Sequence, residues 1–135
     1  MEPVALQIRG VHHLILTVSN VTTSTRFYEN VFGVTAFPGD DRQRCLSCGS
    51  FLLALQLPPT RGLPHDRFDE NRLGLDHVAF AVESRKQLEA LVVRLAEWGA
   101  PTAGIEFDPD GQGDYVCFRD PDNIQIEFYV GDYEG

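Results

Sequence analysis

The strongest constraint on the fold is an internal repeat. The segment GVHHLILTV at residues 10–18 returns 64 residues later as GLDHVAFAV at residues 74–82, with a histidine at the same place in each copy. A repeat of this kind indicates two copies of one supersecondary unit that pack together to bury a shared core. The chain is therefore expected to fold as a tandem duplication.

Each copy continues with a helix. Apolar residues recur at helical spacing in TTSTRFYENVFGV, and Gly33 is expected to end that helix. In the second copy, Ser84 and Gln87 form a capping-box pattern, and Gly99 follows the last apolar position. Both copies therefore begin strand–helix.

Shorter extended stretches follow each helix, so each copy is expected to be a βαβββ unit. The predicted strands cover residues 34–37, 44–48 and 51–57 in the first copy and 102–107, 114–119 and 124–130 in the second. A DPDN turn precedes the last strand, and Asn123 can adopt the left-handed conformation that such a turn often needs. We expect a single domain over residues 1–135, with a first module at about 8–57, a linker at 58–74 and a second module at about 75–131.

The length, net charge and cysteine count limit which kinds of partner and compartment are expected. The 135 residues suit one domain, and 20 acidic against 11 basic residues give a formal charge of −9, which disfavours nucleic acid and anionic membranes. Neither a transmembrane run nor the start of a signal peptide is recognisable. Three cysteines are too few for a disulfide framework, and Cys45 and Cys48 are expected to point to opposite faces of a strand. A cytoplasmic protein is expected.

Alternation along the strands separates two faces. One face is bulky and apolar, as in Leu14, Leu16 and Val18, and is expected to cover the helices. The opposite face is expected to line a pocket, and we call it the concave face. Its predicted members are His13, Ile15, Thr17, Leu52, Ala54 and Gln56 in the first module and His77, Ala79, Ala81, Gln125, Glu127 and Tyr129 in the second.

The stretches HHLILTVSN, STRFYENVFGV, LDHVAFAVES and YVCFRDPDNIQIEFYV resemble the vicinal oxygen chelate superfamily, which includes glyoxalase I, bleomycin-resistance proteins, extradiol dioxygenases and fosfomycin-resistance thiol transferases. The resemblance implies an α+β fold in which two tandem βαβββ modules form a curved half-barrel sheet. It also implies a divalent metal on the concave face and a homodimer.

Position by position, the resemblance places the metal ligands at His13, His77 and Glu127. The fourth position, a glutamate in glyoxalase I, falls on Ala54, which cannot bind a metal. A buried unpaired carboxylate at Glu127 would be costly, and a cation shared with two histidines removes that cost. One divalent Fe, Mn, Ni, Co or Zn ion per chain is expected. His12 is the second choice for the first ligand, although alternation assigns it to the helix-covered face.

The resemblance also suggests further site residues. His65 and Tyr115 lie near the places where extradiol dioxygenases carry a histidine and a tyrosine with catalytic roles. The expected substrate-binding residues are Ile15, Thr17, Leu52, Gln56, Ala79 and Tyr129. No arginine or lysine falls on the predicted lining, and Arg44 and Arg119, at strand ends, are expected to be solvated.

The expected function is that of a small metal-dependent enzyme acting on a small molecule with vicinal oxygens, of dioxygenase, lyase or isomerase type. Glyoxalase-like proton abstraction is disfavoured by Ala54. Fosfomycin resistance is disfavoured because those enzymes usually carry threonine where this chain has Ile15. The alternative is a metal-free protein of the bleomycin-resistance kind that sequesters a small molecule.

Overall fold

The computed structural model describes residues 2–133, so residues 1, 134 and 135 of the expected domain lie outside the described part. Seven strands and two helices follow one another along this part of the chain. They are β1 His13–Thr17, α1 Val21–Phe32, β2 Gln43–Ser47, β3 Leu52–Gln56, β4 Val78–Val82, α2 Arg85–Trp98, β5 Thr102–Asp108, β6 Gly113–Arg119 and β7 Gln125–Val130.

The two modules have matching sheet topologies. The first has strand order β1-β3-β2 and the second β4-β7-β6-β5. In each, the strand before the helix pairs in parallel with the last strand of the module, and the other pairings are antiparallel. The sheets are open and curved, and neither closes into a barrel, which confirms the predicted α+β fold.

The predicted strand at residues 34–37 is wrong, so the first module is βαββ. A single backbone hydrogen bond, from Phe37 N–H to the Cys45 carbonyl at 2.8 Å, joins this stretch to β2. The N–H of Ala36 instead donates to the Glu29 carboxylate at 2.9 Å. The Glu29 side chain therefore binds a backbone N–H that a strand would need for pairing. Pro38, which follows directly, has no N–H to donate.

Two of the three predicted helix ends, Gly33 and Gly99, are confirmed, and Asn20 supplies an N-cap that was not predicted. Asn20 caps α1 by accepting the Thr23 N–H, and Gly33 and Gly99 end the helices in the left-handed conformation, with φ of 68° and 81°. The predicted capping box of α2 is wrong. Within residues 2–133 the Ser84 side chain makes no capping bond, and Gln87 accepts instead from the N–H of Glu83 at 2.8 Å.

The core lies between the two sheets, around the helices. Alternation predicted its members correctly: Leu16 and Val18 are 5% and 2% exposed. Aromatic contacts join the modules, because Phe32 of α1 packs on Phe80 of β4 with ring centroids 5.6 Å apart and Phe51 stacks on the same ring at 5.0 Å. The apolar faces of both sheets therefore look inward, and the concave faces look outward.

Neither helix within residues 2–133 has the length and apolarity that spanning a bilayer requires. The linker is attached to the DPDN turn by two hydrogen bonds. Phe68 N–H donates to the Asp122 carbonyl at 3.0 Å, and the Asn123 side chain donates to the Phe68 carbonyl at 2.9 Å. Asn123 has a φ of 68°, as the turn predicted.

Candidate metal centre

Two of the three predicted metal ligands lie together in the second module. His77 directly precedes β4, and β4 pairs in parallel with β7 so that Ala79 lies opposite Glu127. This register brings His77 Nε2 to 3.6 Å from the Glu127 carboxylate. Alanine at position 79 leaves the space between the two side chains open. The strand pairing thus brings the His77 imidazole and the Glu127 carboxylate close enough to bind the same ion.

The histidine of this pair is held from its other side. His77 Nδ1 lies 2.7 Å from the carboxylate of Asp76. A carboxylate partner at one ring nitrogen is the usual arrangement behind a metal-binding histidine, since it leaves the second nitrogen free as the ligand. Asp76 was not among the predicted site residues, although its place directly before the histidine was visible in the sequence.

Glu127 lacks sufficient positive charge around it. Its side chain is only 16% exposed. Partial burial raises the pKa of this carboxyl above its ordinary value; His77 acts against that effect, and the negative charges of Asp108 and Glu106 add to it. A cation bound at this position would compensate the carboxylate. The donor chemistry of His77 and Glu127 therefore fits a divalent metal.

The third predicted ligand is not part of this cluster. His13 opens β1, in the other sheet, and its ring lies against His12 with the two Nδ1 atoms 2.8 Å apart. Among residues 2–133, no three His, Cys, Asp or Glu side chains lie close enough to hold a metal ion. His12 is exposed and precedes the strand, so its predicted position on the helix-covered face is wrong.

The concave face of the first module contains the expected lining residues. Ile15 lies opposite Ala54, and Thr17 lies opposite Gln56, in the pairing of β1 with β3. Ile15 remains 43% exposed, whereas Leu16, the next residue, is 5% exposed. These residues thus share one face of the sheet, with His13 at its end, and their role in binding a substrate stays a prediction.

The concave face of the second module has an aromatic wall. Tyr115 and Tyr129 stack with ring centroids 6.2 Å apart and planes within 7° of parallel, and the Tyr129 hydroxyl donates to Asp108 at 3.1 Å. Partial burial and the charges of Glu106 and Glu127 raise the pKa of Tyr115. Tyr115 therefore shares a face with Glu127, and its catalytic role stays a prediction.

His65 lies in a different place. It is an exposed linker residue with a φ of 55°, and it lines a groove of about 810 Å³ with Thr17, Arg67 and Asp122. Neither His77 nor Glu127 lines that groove. Within one chain, the structure does not bring His65 to the candidate metal centre.

Sequence reasoning missed Cys117 as a member of the concave face. It lies directly opposite Glu127 in the pairing of β6 with β7. Burial, with the nearby charge of Glu127, raises the pKa of this thiol, which disfavours the thiolate that a nucleophile needs. Its alternation with Tyr115 on β6 would have been enough to place it.

Comparisons with known proteins agree with this architecture. A family model described as "Glyoxalase/Bleomycin resistance protein/Dioxygenase superfamily" matches residues 10–128. The metallothiol transferase FosB of Shouchella clausii is 32% identical over 125 residues, which cover 92% of this chain and 82% of that protein. The glutathione transferase FosA of Serratia marcescens is 27% identical over 125 residues, covering 92% and 82%.

A solved structure also matches closely. The glyoxylase/bleomycin resistance protein/dioxygenase domain from Frankia sp. EAN1pec superposes with a TM-score of 0.75 at 33% sequence identity. The match covers 93% of this chain and 100% of that one.

Proposed function

The chain belongs to the glyoxalase/bleomycin resistance protein/dioxygenase superfamily, and from this premise we propose that it is a metal-dependent enzyme whose site forms between two copies of the chain. His77 and Glu127 of one subunit, with His13 of the partner subunit, would hold one divalent ion. The observation that carries the proposal is the convergence of His77 and Glu127 at 3.6 Å, while residues 2–133 contain no group of three potential ligand side chains.

The shape of the chain supports a two-fold partner. The two concave faces look outward, so neither can complete the other within one subunit. β1 and β4 are both edge strands of their sheets, and edge strands are usually covered. Val11 and Leu75, each two residues before a site histidine, are 64% and 44% exposed. In a two-fold dimer, the same contact would cover the edge strands and the two apolar residues of each subunit.

The proposed ligand set determines what kind of substrate fits. Two neutral imidazoles and one carboxylate leave a divalent ion with a net positive charge and open coordination positions. When bound, the ion would act as a Lewis acid that stabilises negative charge on neighbouring substrate oxygens. The lining residues would position the rest of a small molecule: Ile15 and Leu52 give apolar contact, and Gln56 offers hydrogen bonds.

Among the possible reaction types, the names of the relatives best support transfer of a group to the bound substrate. Two relatives are named as transferases, one a metallothiol and one a glutathione transferase. A thiol co-substrate would have to come from outside, because the raised pKa of Cys117 disfavours its thiolate. Ile15, in place of the threonine usual in fosfomycin-resistance enzymes, favours a different acceptor. Dioxygenase, lyase and isomerase chemistry are the alternatives at the same site.

A second candidate function is metal-free sequestration of a small molecule. The concave face of the second module favours it, because the stacked Tyr115 and Tyr129 lie beside the acidic Glu106 and Asp108. Such a wall suits a flat cation. Tight binding of an aromatic cation to metal-free protein, together with failure to bind any divalent metal, would decide for this function.

Mixed dimers test the proposed metal centre. His13→Ala and Glu127→Ala are each expected to abolish metal binding. Random pairing of the two variants should restore about a quarter of the wild-type metal content, because half the dimers are mixed and each mixed dimer regains one of two sites. Elemental analysis after refolding the mixture measures this.

The matched control mixes His77→Ala with Glu127→Ala. Both changes lie in the second module, so no mixed dimer regains a complete site and the metal content should stay near zero. Equal recovery in both mixtures, or a monomer by light scattering, would contradict the proposed site. Absence of Fe, Mn, Ni, Co or Zn binding by the wild type would contradict the metal-dependent function altogether.

A further inference from the structure

Arg119 is a fixed residue, contrary to the expectation that it is solvated. Its two terminal nitrogens contact the two carboxylate oxygens of Glu70 at 2.9 and 3.0 Å. One of them also donates to the Asn123 carbonyl at 3.2 Å. The hydrogen bonds from Arg119 lower the pKa of Glu70 to about 2, so the linker carboxylate stays ionised and the guanidinium stays oriented.

Gln125 connects this ion pair to the metal centre. Its Oε1 accepts from Arg119 at 3.0 Å, and its Nε2 donates to the Asp76 carboxylate at 3.0 Å. The same Asp76 oxygen lies 2.7 Å from His77 Nδ1. A continuous chain of hydrogen bonds therefore runs from the linker to the proposed metal ligand.

The direction of this chain is fixed by chemistry. A guanidinium can only donate, so Gln125 must turn its oxygen toward Arg119 and its amide nitrogen toward Asp76. An ionised carboxylate can only accept, so the proton between Asp76 and His77 must sit on Nδ1. His77 Nε2 is then left without a hydrogen and with its lone pair facing Glu127.

We propose that Glu70, Arg119 and Gln125 are positioning residues that hold His77 in the tautomer with a bare Nε2, the form that a metal requires. Only the expected effect on metal affinity rests on the proposed function. The tautomer itself is a property of the metal-free chain.

The first module offers an internal comparison. There His13 lies opposite Leu52, and Ser47 lies opposite the same leucine on β2. Leucine and serine thus occupy the places that Gln125 and Arg119 hold in the second module, and His12 stands where Asp76 would be. Because the repeat folds without the chain of hydrogen bonds, that chain is not a requirement of the module and points to a role at His77.

The test reads the ring nitrogens of His77 by NMR in ¹⁵N-labelled, metal-free protein at about pH 8.5, about two units above the pKa of free imidazole. The wild type should show hydrogen on Nδ1. Gln125→Glu has nearly the same shape but presents an acceptor to Asp76, so the two carboxylates repel and the Nε2–H tautomer should gain population. Arg119→Met should act in the same direction and provides a second variant if the first fails to fold.

Zn(II) titration by calorimetry gives the second readout. Loss of an outer partner of a metal-binding histidine weakens metal affinity about 10- to 100-fold, and we expect that range for Gln125→Glu. Arg85→Met is the control, because it removes an arginine that pairs with Asp114 at 3.0 Å in the same module without touching the chain. It should leave tautomer and affinity unchanged.

The outcomes separate the two hypotheses. If His77 keeps hydrogen on Nδ1 in Gln125→Glu and Arg119→Met, or carries it on Nε2 in the wild type, the positioning role is overturned. If the tautomer shifts as expected while the wild type binds no Zn(II), Mn(II), Co(II), Ni(II) or Fe(II), the positioning chain stands and the metal-dependent function fails.

Discussion

Tyr28 donates a hydrogen bond of 2.7 Å to the carboxylate of Asp120, and both side chains are buried. The bond joins α1 of the first module to the turn that precedes β7 in the second. The other carboxylate oxygen of Asp120 accepts the N–H groups of Asp122 and Ile124, both at 2.8 Å. Through this pair, a helix of one module fixes the start of the strand that carries Glu127.

Tyr28→Phe is expected to lower the free energy of unfolding by about 1–3 kcal/mol, because it leaves a buried carboxylate oxygen without its donor. Urea unfolding followed by circular dichroism measures the change. Tyr133→Phe removes an equivalent hydroxyl from a residue that is 94% exposed and serves as the control. Equal stability of the two variants would show that the buried bond contributes nothing.

Neighbouring residues on β1 should respond very differently to truncation. Leu16→Ala removes a side chain that is 5% exposed and should cost about 2–5 kcal/mol. Ile15→Ala acts on a residue that is 43% exposed on the concave face and should change stability by about 0.5 kcal/mol or less. Denaturant melts of both variants test whether the two faces of the strand have the assigned roles, and similar losses would contradict the assignment.

The ion pair of Glu70 and Arg119 predicts a dependence on acid. Because the pKa of Glu70 falls from 4.5 to about 2 on folding, its contribution to stability is present above pH 4.5 and is lost as the pH drops toward 2. The stability advantage of wild type over Glu70→Gln should therefore shrink across that range. Urea midpoints at several pH values measure it, with Glu97→Gln on the exposed side of α2 as the control. A constant difference would show that the pair does not form.

Gly113→Ala should disturb the tyrosine wall. A Cβ at position 113 would collide with the ring of Tyr129, which stacks on Tyr115. The ring proton shifts of both tyrosines should move, while the fold is kept. Gly62→Ala, in the linker, is the control, since its Cβ would meet only the side chain of Pro58, at 3.2 Å. Unmoved tyrosine resonances in Gly113→Ala would mean that Tyr129 lies elsewhere.

Strand alternation and the repeat were sufficient to predict most of the fold. They predicted the buried Leu16 and Val18 and the outward His13 and His77, because side-chain direction in a strand depends only on parity. The stretch 34–37 was wrongly predicted as a strand because the Glu29 side chain accepts the Ala36 N–H, and hydrophobic periodicity does not reveal such a contact. The shifted cap at Gln87 has the same kind of cause.

The candidate site was predictable residue by residue but not as an assembly. The resemblance named His77 and Glu127, which the structure brings to 3.6 Å. It could not show that His13 would be absent from their cluster, because that depends on which way the two sheets turn when the helices pack. Arg119 was misjudged because its partner, Glu70, lies 49 residues away in a segment with no secondary structure.

The separation of the two faces of each strand also bears on how such a chain can change over generations. Substitutions at positions such as Ile15, Gln56 and Ala79 leave the core intact, so selection can sample new ligands there without first securing foldability. Because the chain contains two copies of the module, equivalent outward positions can also be substituted independently in each copy. Ala54 and Glu127 occupy equivalent places in the two sheets and differ in side-chain chemistry. A library randomised at Ile15, Gln56 and Ala79 should yield mostly folded members that differ chiefly in what they bind.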